Sequence, residues 1–236
     1  MRLFSLIGFL SLCSGVWADE PYIFVLGVAQ DAGYPQAGCF RPHCMRGWED
    51  RNERVTASSI AVVADSESYL FDATPHFPDQ TYRLSQQAPD ARLSGIFLTH
   101  AHIGHYTGLM HLGREVMGAH AMPVYAMPRM KTFLEDNGPW SQLVTLENIE
   151  IKSLVARSTI EFPEVRVTPF LVPHRDEYSE TVGYRIDGPN HSAVFIPDID
   201  KWDRWSTSIV DVVRDVDYAL LDATFYADGE LPILAM

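Results

Sequence analysis

Three histidines stand close together in the segment Thr99–His105: His100, His102 and His105. They follow a short apolar run (Ile96, Phe97, Leu98) and precede a helical pattern. Neutral imidazole is the commonest side-chain ligand for zinc, and a strand that turns residues i and i+2 to one face lets His100 and His102 grip one ion together. His105 lies past a turn and approaches from another direction. An ion held by imidazoles with one position left open acidifies a bound water, and the hydroxide so formed attacks an ester, lactone, amide or phosphoester. The chemistry expected is therefore metal-dependent hydrolysis of a small molecule. Imidazoles with a carboxylate also suit non-haem iron, so oxygenase-type redox chemistry is the alternative, and a non-catalytic metal-binding protein is a third.

The remaining ligands of such a site must arrive on other elements. Asp72, His174 and Asp198 each stand where an apolar strand pattern stops, and a strand end holds a backbone firmly while the loop beyond leaves room for water and substrate. Arg175 and Tyr178, just after His174, are candidate contacts for an anionic substrate group. The segment from Gln30 to Asn52 reads as a long loop punctuated by Gly33, Pro35, Gly38, Pro42 and Gly47. It carries Cys39, His43 and Cys44; the two cysteines are either a disulfide pair or free thiols, or the three residues are three of the four ligands of a structural zinc site. Of the other histidines, His76 is a candidate to line the pocket, His111 lies on a helix, and His120 and His191 sit in turns.

Patterning supplies the elements that position these residues. Strands are expected over Tyr22–Val28, Ser58–Ala64, Tyr69–Ala73, the run ending at His100, Met122–Ala126, Val165–Val172, Val182–Ile186, Ser192–Ile196 and Tyr218–Leu221. Helices are expected over Pro78–Gln87, Thr107–Met117, Arg129–Asn137 and Ile209–Val213, with the methionines of the second as core filler. Residues from Gly138 to Phe162 read as strand-like with polar turns. Strands with helices interspersed and no repeat predict one α/β domain.

Composition narrows the function classes. With 236 residues and 47% hydrophobic side chains the chain can build one substantial core. A formal net charge of −13 disfavours nucleic acid and anionic membrane surfaces as partners. Arg2, the apolar run Leu3–Leu12 and the small residues Val16 and Ala18 predict a signal peptide over residues 1–18, removed together with Cys13. That run is shorter than the roughly twenty residues needed to span a bilayer. The expectation is an exported protein, periplasmic or secreted, with no stable membrane anchor and a functional domain over residues 19–236.

The segments Gly27–Gln36, Leu98–Leu109, Val172–Tyr184 and Phe195–Asp200 together resemble the metallo-β-lactamase fold hydrolases, whose hallmark is His-x-His-x-Asp-His after a strand. Within them they resemble the branch that contains the pyrroloquinoline quinone biosynthesis protein B. The resemblance implies a four-layer αββα sandwich with the metal site at one edge. It implies that His100, His102 and His174 hold the first metal, with Asp198 bridging or supporting a second and Asp200 the runner-up in that role. His105 would belong to the second metal, and Asp198 and His105 would stand nearest the chemistry. Asp72, and with less support Asp222, would orient ligands by hydrogen bonds. Cys39 and Cys44 fall where that branch often carries a structural zinc. Two departures matter. Gly104 replaces the second-metal Asp, and the sequence stops at Met236 before the strand and helix that would supply a last histidine. The expectation is one divalent metal, with zinc ahead of iron and manganese.

Overall fold

The computed structural model describes residues 20–30 and 32–225. The predicted leader and the ending Leu231–Met236 lie outside them. The strands are β1 Tyr22–Gly27, β2 Ser59–Ala64, β3 Glu67–Phe71, β4 Arg92–Phe97, β5 Met122–Ala126, β6 Ile149–Ser153, β7 Ile160–Glu161, β8 Arg166–Leu171, β9 Val182–Asp187, β10 Ser192–Ile196 and β11 Tyr218–Leu221. The helices are α1 Pro42–Glu49, α2 Phe77–Gln87, α3 Ile103–Tyr106, α4 Pro128–Asp136, α5 Trp140–Thr145 and α6 Ile209–Arg214.

Two sheets form, ordered β1-β2-β3-β4-β5-β6 and β11-β10-β9-β8-β7. In the first, β1, β2 and β3 pair antiparallel and β3 to β6 pair parallel. In the second, only β10 and β11 are parallel. The alternation of β3 shows how layers follow from sequence. Tyr69 and Phe71 point between the sheets, where they meet Phe97, Val167, Val182, Tyr184 and Phe195. Leu70 points the other way, into a cluster with Ile96 and Val124 that is covered by Phe77 and Leu84 of α2, Met130 and Leu134 of α4, and Leu143 of α5. Strand β2 is buried along its whole length because both faces are covered, which explains its unbroken apolar run. The outer face of the second sheet, with Val194 and Ile196, is covered by Trp202, Trp205, Ile209 and Val213. The result is the predicted αββα sandwich.

Four expectations need correction. The segment 30–52 is not all loop, since α1 lies within it; that helix buries only Cys44 and Gly47 and so writes no apolar stripe. Residues 107–117 do not form one helix but a 3₁₀ turn over Thr107–Leu112 followed by further turns. Gly108 there packs so closely on the chain after β3 that a Cβ would lie 2.2 Å from the Thr74 carbonyl oxygen. Met110 and Met117 are half exposed rather than core filler. Residues 138–162 include helix α5, whose six residues bury only Leu143.

Candidate metal centre

The chain after β4 carries His100 and His102 to the edge of the sandwich, and α3 turns His105 back beside them. The loop after β8 brings His174, and the loop after β10 brings Asp198. His100, His102, His174 and Asp198 converge so that one ligand atom from each lies within 4.8 Å of the others. The separations are 2.9 Å from His100 Nε2 to His102 Nδ1, 3.1 Å from His102 Nδ1 to His174 Nε2, 3.3 Å from His100 Nε2 to Asp198 Oδ2 and 3.6 Å from His174 Nε2 to Asp198 Oδ2. Donor atoms gathered this closely are within reach of one small cation.

The surrounding hydrogen bonds decide which nitrogens carry protons. Thr99 Oγ1 donates to Asp72 Oδ2 at 2.9 Å, so it accepts from His100 Nδ1–H at 2.9 Å and leaves His100 Nε2 a bare lone pair. His102 Nε2–H donates to Glu177 Oε2 at 2.8 Å, which leaves His102 Nδ1 bare. Burial pushes His100 far below its ordinary value and lowers His174 as well, so both are neutral. A cation between the two nitrogens would be held by both lone pairs. The residues present fit a divalent metal.

Asp72 sits under this cluster with no solvent exposure. Its backbone takes φ 66°, a left-handed conformation that Asp tolerates and that aims the carboxylate at Thr99. It accepts from Thr99 N–H at 2.8 Å, Thr99 O–H, and His105 Nδ1–H at 2.7 Å. Burial raises the Asp72 carboxyl, while His105 and Thr99 oppose that rise. Burial would also depress His105, but the Asp198 and Asp72 carboxylates outweigh it and lift His105 to about 10. Asp198 is likewise resisted by burial and held low by His105 and His100.

His105 Nε2 lies 3.3 Å from Asp198 Oδ2 but outside the four-ligand group, so among the described residues the second site has these two donors alone. Asp222 lies apart from the histidines and acts on the Asp198 loop, accepting from Ile199 N–H at 3.1 Å. Asp200 is paired with Arg204 and is not a ligand of the cluster. Arg175 Nη2 stands 3.5 Å from His102 Nδ1, and Tyr178 is exposed with its ring 5.5 Å from Phe133. Both border the hollow over His100 and His102 or the ligands themselves. His76 accepts from Ala57 N–H at 3.3 Å. Cys39 and Cys44 are joined as a disulfide, with His43 Nε2 3.8 Å from Cys39 Sγ. Of the readings of that pair, the structure takes the disulfide. Thr99 and Glu177 were not anticipated as site residues; they are polar loop residues whose spacing carries no metal signature.

Residues 67–234 match the family model for the beta-lactamase superfamily domain. The chain belongs to that family. Within the superfamily, the coenzyme PQQ synthesis protein B of Xanthomonas oryzae pv. oryzae is 26% identical over 235 residues, covering 89% of this chain and 75% of that protein. The Methylobacillus flagellatus protein of the same name is 27% identical over 236 residues with the same coverage. The zinc-bound PqqB of Methylobacterium extorquens superposes with a TM-score of 0.68 at 24% identity, over 85% of this chain and 72% of that one. A diphosphatase of the PhnP family superposes with a TM-score of 0.61 at 23% identity, over 86% and 73%. These two structures share the beta-lactamase superfamily fold seen here.

Proposed function

We propose that this chain is a hydrolase of small-molecule esters, lactones, amides or phosphoesters that works with one divalent ion, zinc, held by His100, His102, His174 and Asp198. The observation that carries the reading is the convergence of three imidazole nitrogens and one carboxylate oxygen at 2.9 to 3.6 Å, with tautomers set by Thr99 and Glu177. Zinc in such a donor set supplies a Lewis acid and brings the pKa of water toward neutrality. Asp198 turns Oδ2 to the histidines and keeps Oδ1, buried and without a hydrogen-bond partner, as an acceptor that can orient the attacking water. Arg175 offers its charge to an anionic group of the substrate beside His102. Tyr178 presents an exposed ring on the same rim.

Elemental analysis of the purified chain is expected to give one zinc per molecule. Turnover of p-nitrophenyl esters and of an activated phosphodiester should disappear on exhaustive chelation and return with zinc. Hydrolysis that survives complete metal removal refutes the reading.

The names of the relatives favour one second reading, a protein of quinone cofactor synthesis, and three imidazoles with a carboxylate would suit non-haem iron in that role. Iron in place of zinc, with oxygen consumed, would select it.

A further inference from the structure

We infer that Gln30 is a positioning residue that fixes Asp198 against the three imidazoles and so sets the affinity of the metal site. The inference rests on the metal site proposed above.

His100 and His102 follow a strand of the first sheet, whereas Asp198 follows β10 of the second, so the donor set closes only when the two sheets are held in one register. Gln30 spans that gap. Its amide nitrogen donates to the Pro197 carbonyl at 2.7 Å and to Asp222 Oδ1 at 3.0 Å, one N–H for each acceptor. The Pro197 carbonyl belongs to the peptide entering Asp198. The peptide leaving Asp198 is held on its other side, because Ile199 N–H donates to Asp222 Oδ2 at 3.1 Å. Both peptide planes that flank the Asp198 Cα are therefore clamped, and Gln30 joins the two clamps through Asp222. A ligand held this way needs no reorganisation when metal enters.

Gln30 is itself built in. Ala29 pairs with Ala57 as an isolated bridge, with Ala29 N–H donating to the Thr56 carbonyl at 3.1 Å and Ser58 N–H donating to the Ala29 carbonyl at 2.9 Å. Gly33 N–H closes a turn onto the Gln30 carbonyl at 3.3 Å. Gly33 adopts φ +95°, and a Cβ there would lie 2.4 Å from the His76 ring, so glycine alone lets this turn seat. The loop holds Gln30 from the first sheet, and its amide reaches the second.

The test is a double-substitution cycle on the full chain, with zinc affinity read by competition against a chromophoric chelator. Gln30→Met keeps side-chain length and removes both N–H groups. It is expected to weaken zinc about 10- to 100-fold, the usual effect of losing a group that orients a ligand. In an Asp198→Ala background the same change should cost nothing further, because the residue it acts through is gone. Asp222→Asn repeats the cycle from the other end of the clamp, should Gln30→Met fold poorly. Unchanged zinc affinity in Gln30→Met overturns the inference, as does an equal penalty in both backgrounds, which would place the effect in the fold at large. An unsubstituted chain that takes up no zinc refutes the metal site itself, a result distinct from either.

Discussion

The two flanks of the site use the same device in opposite surroundings. On the inner flank Asp72 orients His105 directly and His100 through Thr99, and Asp72 and His105 are essentially sealed from solvent at 0% and 2% exposure. On the outer flank Glu177 orients His102, with the Glu177 side chain 47% exposed and Arg175 and Tyr178 nearby. A carboxylate–imidazole pair is strengthened by low dielectric and weakened by water. The inner flank thus fixes the shape of the site, and the outer flank stays adjustable on its solvent-exposed side.

Removing one carboxylate from each flank tests this division. Asp72→Asn keeps the left-handed backbone but deprives a buried imidazole of its anion, and is expected to cost about 3–5 kcal/mol of stability. Glu177→Gln, at the surface, should cost no more than about 1 kcal/mol. Denaturant unfolding of both variants measures the contrast, and equal losses would remove it.

The pH dependence of the chelated protein is the next test. His105 is raised from 6.5 to about 10 when folded, so the stability it contributes is complete below about pH 6.5 and is lost as the pH rises toward 10. His100 and His174 are lowered when folded, so their contribution is present above about pH 6.5 and is lost as the pH falls below it. The Tm of the chelated chain should therefore fall on both sides of neutrality. His105→Gln should flatten the alkaline limb and also soften the acid limb, because the His105 charge helps hold His100 low; an unaltered alkaline limb would show that the inner flank does not carry it.

The ligands were legible because chemistry leaves spacing. His100 and His102 alternate on an extended segment, and His174 and Asp198 stand where apolar runs stop. The layers were legible for the same reason, since β2, β5 and β10 bury what their patterns promise. What escaped was held by contact rather than by period. Glu177 and Gln30 act through hydrogen bonds across 75 and 167 residues of sequence, which no local pattern encodes. Helices α1 and α5 bury too few residues to write a stripe. The turn over residues 107–112 follows Gly108 against Thr74, a packing fact rather than a propensity. Gly104 was informative by its identity. It withholds a carboxylate from the second site, and the structure leaves that site His105 and Asp198 alone among the described residues.

The smaller effects belong to the outer flank. Glu177→Gln should weaken zinc by about 10-fold, the low end for a ligand-orienting group, because solvent can replace part of the lost interaction. Arg175→Met should leave zinc affinity and kcat near their starting values and raise KM for anionic substrates by about 10-fold. The guanidinium lies 3.5 Å from His102 Nδ1, close enough to meet a bound anion, yet it supplies none of the four ligand atoms. A group that binds substrate and transition state equally changes KM alone, whereas one that assists the reaction lowers kcat. A neutral ester of similar size serves as the control, since its KM should not move. Should Arg175→Met lower kcat for both substrates equally, Arg175 would belong with the inner residues that shape the site, and the division between the two flanks would fail at that point.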